Sequence, residues 1–239
     1  MADKLHETKI GGLDAIEVQG DPELGTIVLL HGYGANFQDL IPISRVFRGP
    51  RWIFPNGPIQ VPISSDYTGR AWFKINIEAL QKASEKKEYE KISQALTPEL
   101  DGAFACVQKF LAALKTPPSK LVLGGFSQGA ILATEAALSL PDQIKGLLVL
   151  SGTLVHKESW QNLSQKHKGL PFFQSHGRDD HLLPFKMAQD LEQLLQENGL
   201  TGRLHPYTGG HEIPFSLLLD LQPFLARLFI PRAKNNASS

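Results

Sequence analysis

The chain predicts an α/β fold with a mostly parallel central sheet and helices on both faces, and three observations carry that expectation. Short runs rich in Val, Ile, Leu or Phe alternate with longer amphipathic stretches, the pattern of successive βαβ units. The runs are nearly continuous in apolar character, as in strands covered on both faces. Each is bounded by Gly, Pro or polar residues, which end the run.

Residues 26–30, 120–123, 146–150 and 171–174 read as central strands, and residues 203–207 as the final one. Between them, residues 97–114 read as a helix with Thr97 as N-cap and Pro98 at its first position. Its apolar Leu100, Phe104, Val107, Leu111 and Leu114 recur every three or four residues. A helix over 184–197 should stop at Asn198 and Gly199. The last helix spans 214–229, and the polar residues 234–239 after it should fray.

Two stretches break the alternation. Residues 50–77 hold turn-formers Pro55, Gly57, Pro58, Pro62 and Gly69 together with Trp52, Tyr67, Trp72 and Phe73. They read as a long functional loop with exposed aromatics. The mixed-charge run at 82–91 reads as a solvated helix or linker. No repeat or linker divides the chain, so one domain of 239 residues is expected.

The bulk composition excludes several classes. With 24 basic and 24 acidic side chains, the chain lacks the positive excess that phosphate binding requires, so no nucleic-acid partner is expected. The lone Cys106 rules out an intrachain disulfide and any multi-cysteine zinc site. A single thiol fits a reducing compartment. The first residues are charged, with no apolar h-region, and position 2 is Ala rather than Gly. Neither a signal peptide nor a myristoyl anchor is therefore expected. Nor is there an apolar run of membrane-spanning length, so stable membrane insertion is not expected and the expected location is cytoplasmic. Oligomeric state is not encoded in any of these features.

The chemistry concentrates after residue 120. Leu121-Val122-Leu123-Gly124-Gly125-Phe126-Ser127-Gln128-Gly129-Ala130-Ile131-Leu132 is an apolar strand, a GxSxG turn, then a helix-forming run. That is the context of a nucleophile elbow, where a sharp strand-to-helix turn exposes the serine Oγ. Ser127 is the candidate nucleophile. A serine hydroxyl needs a histidine base, itself oriented by a carboxylate, and in the α/β-hydrolase arrangement both follow the serine in the chain.

His156, His167, His176, His181, His205 and His211 all satisfy that order. His211 follows Gly209-Gly210 on the loop after the final strand, where a loop-borne base belongs. His205 lies inside that strand and reads as structural. For the acid, Asp179 and Asp180 both lie at the C-terminal end of the strand beginning at 171, next to the crevice where open α/β sheets bind ligands. Spacing does not separate them, and Asp142 is a remote third candidate.

An acyl-transfer oxyanion needs two preorganised N–H donors. One belongs to Gln128, which follows the serine, and the other to the glycine-rich loop 31–36, where Tyr33 lies between Gly32 and Gly34. His31 reads as a structural hydrogen-bonding residue.

With these segments in view, the chain resembles the phospholipase/carboxylesterase family, which includes the acyl-protein thioesterases. The marks are HGYGAN at 31–36, AWF at 71–73, GGFSQGA at 124–130, HGRDDHLLP at 176–184 and GGHEIP at 209–214. The resemblance implies Asp180 as the acid, His211 as the base, and Tyr33 and Gln128 as oxyanion donors. It implies that residues 50–77 cover the active site and line an acyl groove, with Trp72, Phe73 and Leu183 as substrate-binding residues. The family's Arg-x-Trp-Phe-Asp pattern appears as Arg70-Ala71-Trp72-Phe73-Lys74, so the acid's role is open here.

The expected activity is hydrolysis of carboxylic esters or thioesters, with a small-molecule or lipid-like acyl ester as substrate and no metal or cofactor. A peptidase of the same fold and a catalytically inactive binding module are the rival readings.

Overall fold

The structure, a computed structural model, describes residues 5–230; the expected fraying at 234–239 lies outside them. The central strands are β3 (Asp21–Leu30), β7 (Leu121–Phe126), β8 (Gly146–Leu150) and β9 (Pro171–Gly177), with β10 (Thr201–Tyr207) at one edge. Toward the other edge lie β4 (Pro50–Pro55), β2 (Leu13–Val18) and β1 (Leu5–Ile10). The eight strands run in the order β1-β2-β4-β3-β7-β8-β9-β10. Pairing is parallel from β4 through β10 and antiparallel at β1-β2 and β2-β4.

The near-continuous apolar runs have a direct cause. In β3, Ile27 and Leu29 face one core while Val28 and Leu30 face the other, and β8 divides Leu148 and Leu150 from Leu147 and Val149. The first-named face is covered by α7 (Phe215–Phe229) and a 3-10 segment, Phe37–Val46. The other is covered by α1 (Ile77–Glu85), α2 (Tyr89–Leu96), α3 (Leu100–Leu114), α4 (Gln128–Ser139), α5 (Lys157–Ser164) and α6 (Phe185–Glu197).

Two expectations are corrected. The third helix begins at Leu100, not 97: Thr97 instead closes α2, and its carbonyl accepts the Leu100 N–H at 3.0 Å. Residues 50–77 are not one long loop. They form β4, then a hairpin of β5 (Ile59–Pro62) and β6 (Thr68–Ala71), then the first residue of α1. The aromatics expected to be exposed are core residues, with Trp52 and Trp72 at 2% and Phe73 at 1% exposure; only Tyr67, at 40%, faces solvent. The mixed-charge run forms the end of α1 and the start of α2, with solvated outer faces.

Candidate active site

Ser127 sits between β7 and α4 with φ +54° and ψ −119°, a conformation that a non-glycine residue adopts only where surroundings impose it. The turn is tight enough to leave no room for a side chain at its flanks: a Cβ on Gly129 would lie 2.1 Å from the Leu30 carbonyl oxygen, and one on Gly125 2.4 Å from the Gly129 carbonyl carbon. The Ser127 N–H donates to the Leu150 carbonyl at 2.9 Å, and its own carbonyl accepts from Ala130 at 2.9 Å and Ile131 at 3.1 Å, fixing the elbow to β8 and to the first turn of α4.

The C-terminal ends of β9 and β10 bring two more loops to the serine. Ser127 Oγ lies 2.7 Å from His211 Nε2, and His211 Nδ1 lies 2.7 Å from Asp180 Oδ2. Asp180 is 6% exposed whereas Asp179, one residue earlier, points to solvent. Asp142, the remote candidate, is exposed and belongs to neither contact. The Asp180 carboxylate accepts from the Leu182 and Leu183 N–H groups at 2.9 and 2.8 Å through Oδ1. Burial pushes its pKa up, but hydrogen bonds from His176 and His211, the nearby His211 charge and the Leu183 N–H outweigh burial and hold it well below the usual carboxylate range. The carboxylate is therefore ionised.

The acid and base loops are tied to one another: Arg178 N–H donates to the Tyr207 carbonyl at 2.9 Å and Asp179 N–H to the Gly209 carbonyl at 3.0 Å. The Tyr207 hydroxyl donates to the Glu212 carbonyl, beside His211 in the chain, and lies 3.1 Å from Ser151 Oγ. The Phe126 ring packs against the His211 imidazole at 5.0 Å.

On the other side of the serine, the loop after β3 is pinned to β6. Gly34 N–H donates to the Arg70 carbonyl at 2.8 Å and Arg70 N–H to the Ala35 carbonyl at 2.7 Å. Among the described residues the Tyr33 amide has no backbone acceptor. Gln128, the first residue of α4, has no preceding turn to receive its N–H. Beneath the loop, His31 is fully buried; its Nδ1–H donates to the Gly32 carbonyl at 2.7 Å and its Nε2 accepts the Gly57 N–H at 2.9 Å. Burial lowers its pKa to about 4, so the ring is neutral at neutral pH.

Trp72, Phe73 and Leu183 are at most 2% exposed, so the expectation that they line a groove is not met. They support the site from behind. Trp72 Nε1 donates to the His31 carbonyl at 2.9 Å and its backbone N–H to Gln128 Oε1 at 2.9 Å, while Gln128 Nε2 donates to the Phe73 carbonyl at 2.7 Å. Leu183 contributes its backbone N–H to Asp180. Lys74, in place of the family's acid, is exposed, and its N–H donates to Glu99 at 3.0 Å.

The open surface lies elsewhere: a cleft of about 940 Å³ runs past His211 between Glu85, Lys87 and Tyr89 on one wall and Arg178, Asp179 and Phe185 on the other. Residues unassigned by sequence are Tyr207 and Ser151, and His176 in the role of a second donor to Asp180 at 3.1 Å. The signal for His176 was its place four residues before Asp180 at a strand end. No such spacing marks Tyr207 or Ser151. Among the described residues no group of three or more His, Cys, Asp or Glu is gathered as a metal site, and no helix is long and apolar enough to cross a membrane.

Sheet order, elbow and covering helices together define an α/β-hydrolase. Residues 12–229 match the phospholipase/carboxylesterase family; the chain belongs to that family, and so is a carboxylic ester hydrolase. It is similar to the probable carboxylesterase SOBER1-like of Arabidopsis thaliana, at 29% identity over 98% of this chain and 89% of that protein. With acyl-protein thioesterase 1 of Debaryomyces hansenii it shares 27% identity over 85% of this chain and 91% of that protein. Among solved structures, esterase PE8 superposes with a TM-score of 0.77 at 26% identity, covering 94% of this chain and 99% of that one.

Proposed function

We propose that the chain hydrolyses carboxylic esters or thioesters through an acyl-enzyme on Ser127. The observation that carries this reading is the unbroken hydrogen-bonded chain from Ser127 Oγ through His211 to Asp180, with both contacts at 2.7 Å. In the first half-reaction His211 Nε2 takes the Oγ proton as Oγ bonds to the acyl carbon. The carbonyl oxygen becomes an oxyanion, received by the Tyr33 and Gln128 amides. Collapse breaks the bond to the leaving oxygen or sulfur, which takes the proton from His211. Water then repeats the sequence: its proton goes to His211, its oxygen to the acyl carbon, and the proton returns to Ser127 as the acid departs. Asp180, ionised throughout, holds the imidazole by Nδ1 and stabilises its charged form.

The leaving group departs toward His211, and so toward the cleft. The lining there mixes charged Lys87, Arg178 and Asp179 with apolar Leu182, Pro184 and Phe185, which suits a leaving group carrying both polar and apolar parts. The single thiol, Cys106, is consistent with action in a reducing compartment such as the cytoplasm.

Ser127→Ala tests the reading. It should remove turnover of a short p-nitrophenyl ester, by roughly 10⁴-fold or more, and abolish labelling by a fluorophosphonate, with the melting temperature unchanged. Turnover that survives the substitution sinks the assignment. Failure of the unmodified protein to react with the fluorophosphonate would instead favour the inactive binding module.

A further inference from the structure

His176 opens the segment that supplies Asp180, yet the reaction above gives it no role. It is 0% exposed. Its Nε2 faces two oxygens, the Leu183 carbonyl at 2.7 Å and Asp180 Oδ2 at 3.1 Å. Two acceptors at one ring nitrogen fix the tautomer: the proton is on Nε2. Asp180 Oδ2 is also the oxygen that receives His211 Nδ1–H, so two imidazole nitrogens converge on one carboxylate oxygen. His176 Nδ1, by contrast, is buried with no partner, a cost that an apolar side chain of the same shape would avoid. Packing alone therefore does not account for a histidine here.

We infer that His176 is a positioning residue for the triad: it fixes Asp180 Oδ2 for His211 and, by donating to the same oxygen, limits how strongly the carboxylate holds the His211 proton. The inference rests on the assignment of Ser127, His211 and Asp180 just made. Without the second donor, negative charge on Oδ2 is less dispersed, the imidazolium is held more tightly, and His211 becomes a usable base only at higher pH. Freed from one of its anchors, the carboxylate also orients the imidazole less well.

Other charged groups face the pair. Arg178, Asp179 and His181 lie on the same loop, and Glu212 follows His211. Glu85 and Lys87 stand across the cleft, with Lys186 at the start of α6, and the Tyr207 hydroxyl reaches the His211 loop from β10. All are unchanged in the variants below, so their fields cancel in the comparison.

His176→Phe keeps a ring against Phe185, whose centroid is 6.2 Å away, and removes the donor. The acid limb of the kcat/KM profile should move up by roughly half to one pH unit, with kcat falling roughly tenfold and KM within about twofold of the original. The NMR titration of the His211 Cε1–H should move by the same amount, and it needs no turnover. His176→Gln, whose Nε2–H takes the place of the imidazole's, should return both to their original positions. In an Asp180→Asn background His176→Phe should cost nothing further. Should His176→Phe fail to fold, His176→Leu serves in its place.

A His211 titration that coincides in the unmodified and donor-lacking proteins overturns the inference. So does a Gln variant as impaired as the Phe variant, or a cost that persists in the Asp180→Asn background. Failure of the nucleophile assignment reads out separately, as turnover after Ser127→Ala.

Discussion

The two flanks of Ser127 are held by different forces. On the β3 side, His31, Trp72 and Gln128 link the loop 31–36, Gly57 and the end of β6 through buried neutral hydrogen bonds. On the β9 and β10 side, an ionised Asp180 organises two loops through hydrogen bonds to its charge. Neutral contacts fix shape and, once buried, are costly to lose one at a time. Charged ones fix shape and also set the protonation state of a neighbour. Apart from the two oxyanion amides proposed on it, the first flank is therefore expected to act as scaffold and the second as the proton-transfer machinery, and substitutions of their side chains should separate stability from rate.

The largest effect should come from Asp180→Asn. The amide keeps the size of the side chain but presents the wrong partner to His211 Nδ1, which favours the wrong tautomer. A fall in kcat of about 10⁴ is expected, the size seen when this change is made in a serine-protease triad. If kcat drops less than tenfold, the charged flank is not what orients the base.

On the neutral flank, His31→Leu strands the Gly57 N–H and the Gly32 carbonyl inside the protein. A loss of about 2–4 kcal/mol is expected from denaturant midpoints, while the fraction that remains folded keeps kcat within about tenfold. A variant of full stability and no activity would reverse the roles of the two flanks.

Acid should act on the flanks in sequence. His31 is lowered from 6.5 to about 4 in the folded state, so between those values the unfolded chain takes up a proton that the folded protein refuses. The stability is fully present above pH 6.5 and falls with pH across that window, by roughly 3 kcal/mol in all. Asp180 is also depressed, from 3.8, but as an acid: its contribution is present above 3.8 and is lost only as pH falls further, through its folded value. Melting between pH 7 and 4 should therefore slope less in His31→Leu than in the unmodified protein. Equal slopes would mean that His31 is not the group responsible.

The same contrast explains what could be read from the sequence. The central strands and the elbow were legible because two-sided burial and a strained turn restrict residue type along consecutive positions. Chain order left six histidines, and His211 stood apart by its place after Gly209-Gly210 on the loop beyond the final strand. Asp180 was separable from Asp179 only by resemblance, because neighbours on a turn point in different directions, one here to the interior and one to solvent. β4 was hidden by its own ends: Pro50 and Pro55 bracket Trp52, Ile53 and Phe54 and make a buried strand look like turn sequence. The β1-β2 hairpin does carry a local signal, Gly11-Gly12 between two short runs, at φ +58° and +96° as a two-residue turn of that kind needs. The bonds from Trp72 and Gln128 and the contact between Tyr207 and Ser151 join residues far apart in the chain, and no local pattern encodes them.

The smallest expected effect tests whether the charged flank depends on a neutral strut. The Tyr207 hydroxyl donates to the Glu212 carbonyl and sits by Ser151, whose own backbone is in a positive-φ conformation and donates to Ser175 at 2.9 Å. This places β8, β10 and the His211 loop on one small network. Tyr207→Phe removes a single oxygen and leaves the ring, so the loss should be about 1 kcal/mol of stability. Its kinetic effect should fall on kcat, roughly three- to tenfold, because the hydroxyl bears on the aim of His211 and not on substrate contact. Should KM rise while kcat holds, the strut would belong to the cleft wall, and the separation of chemistry from scaffold would have to be redrawn between β10 and the His211 loop.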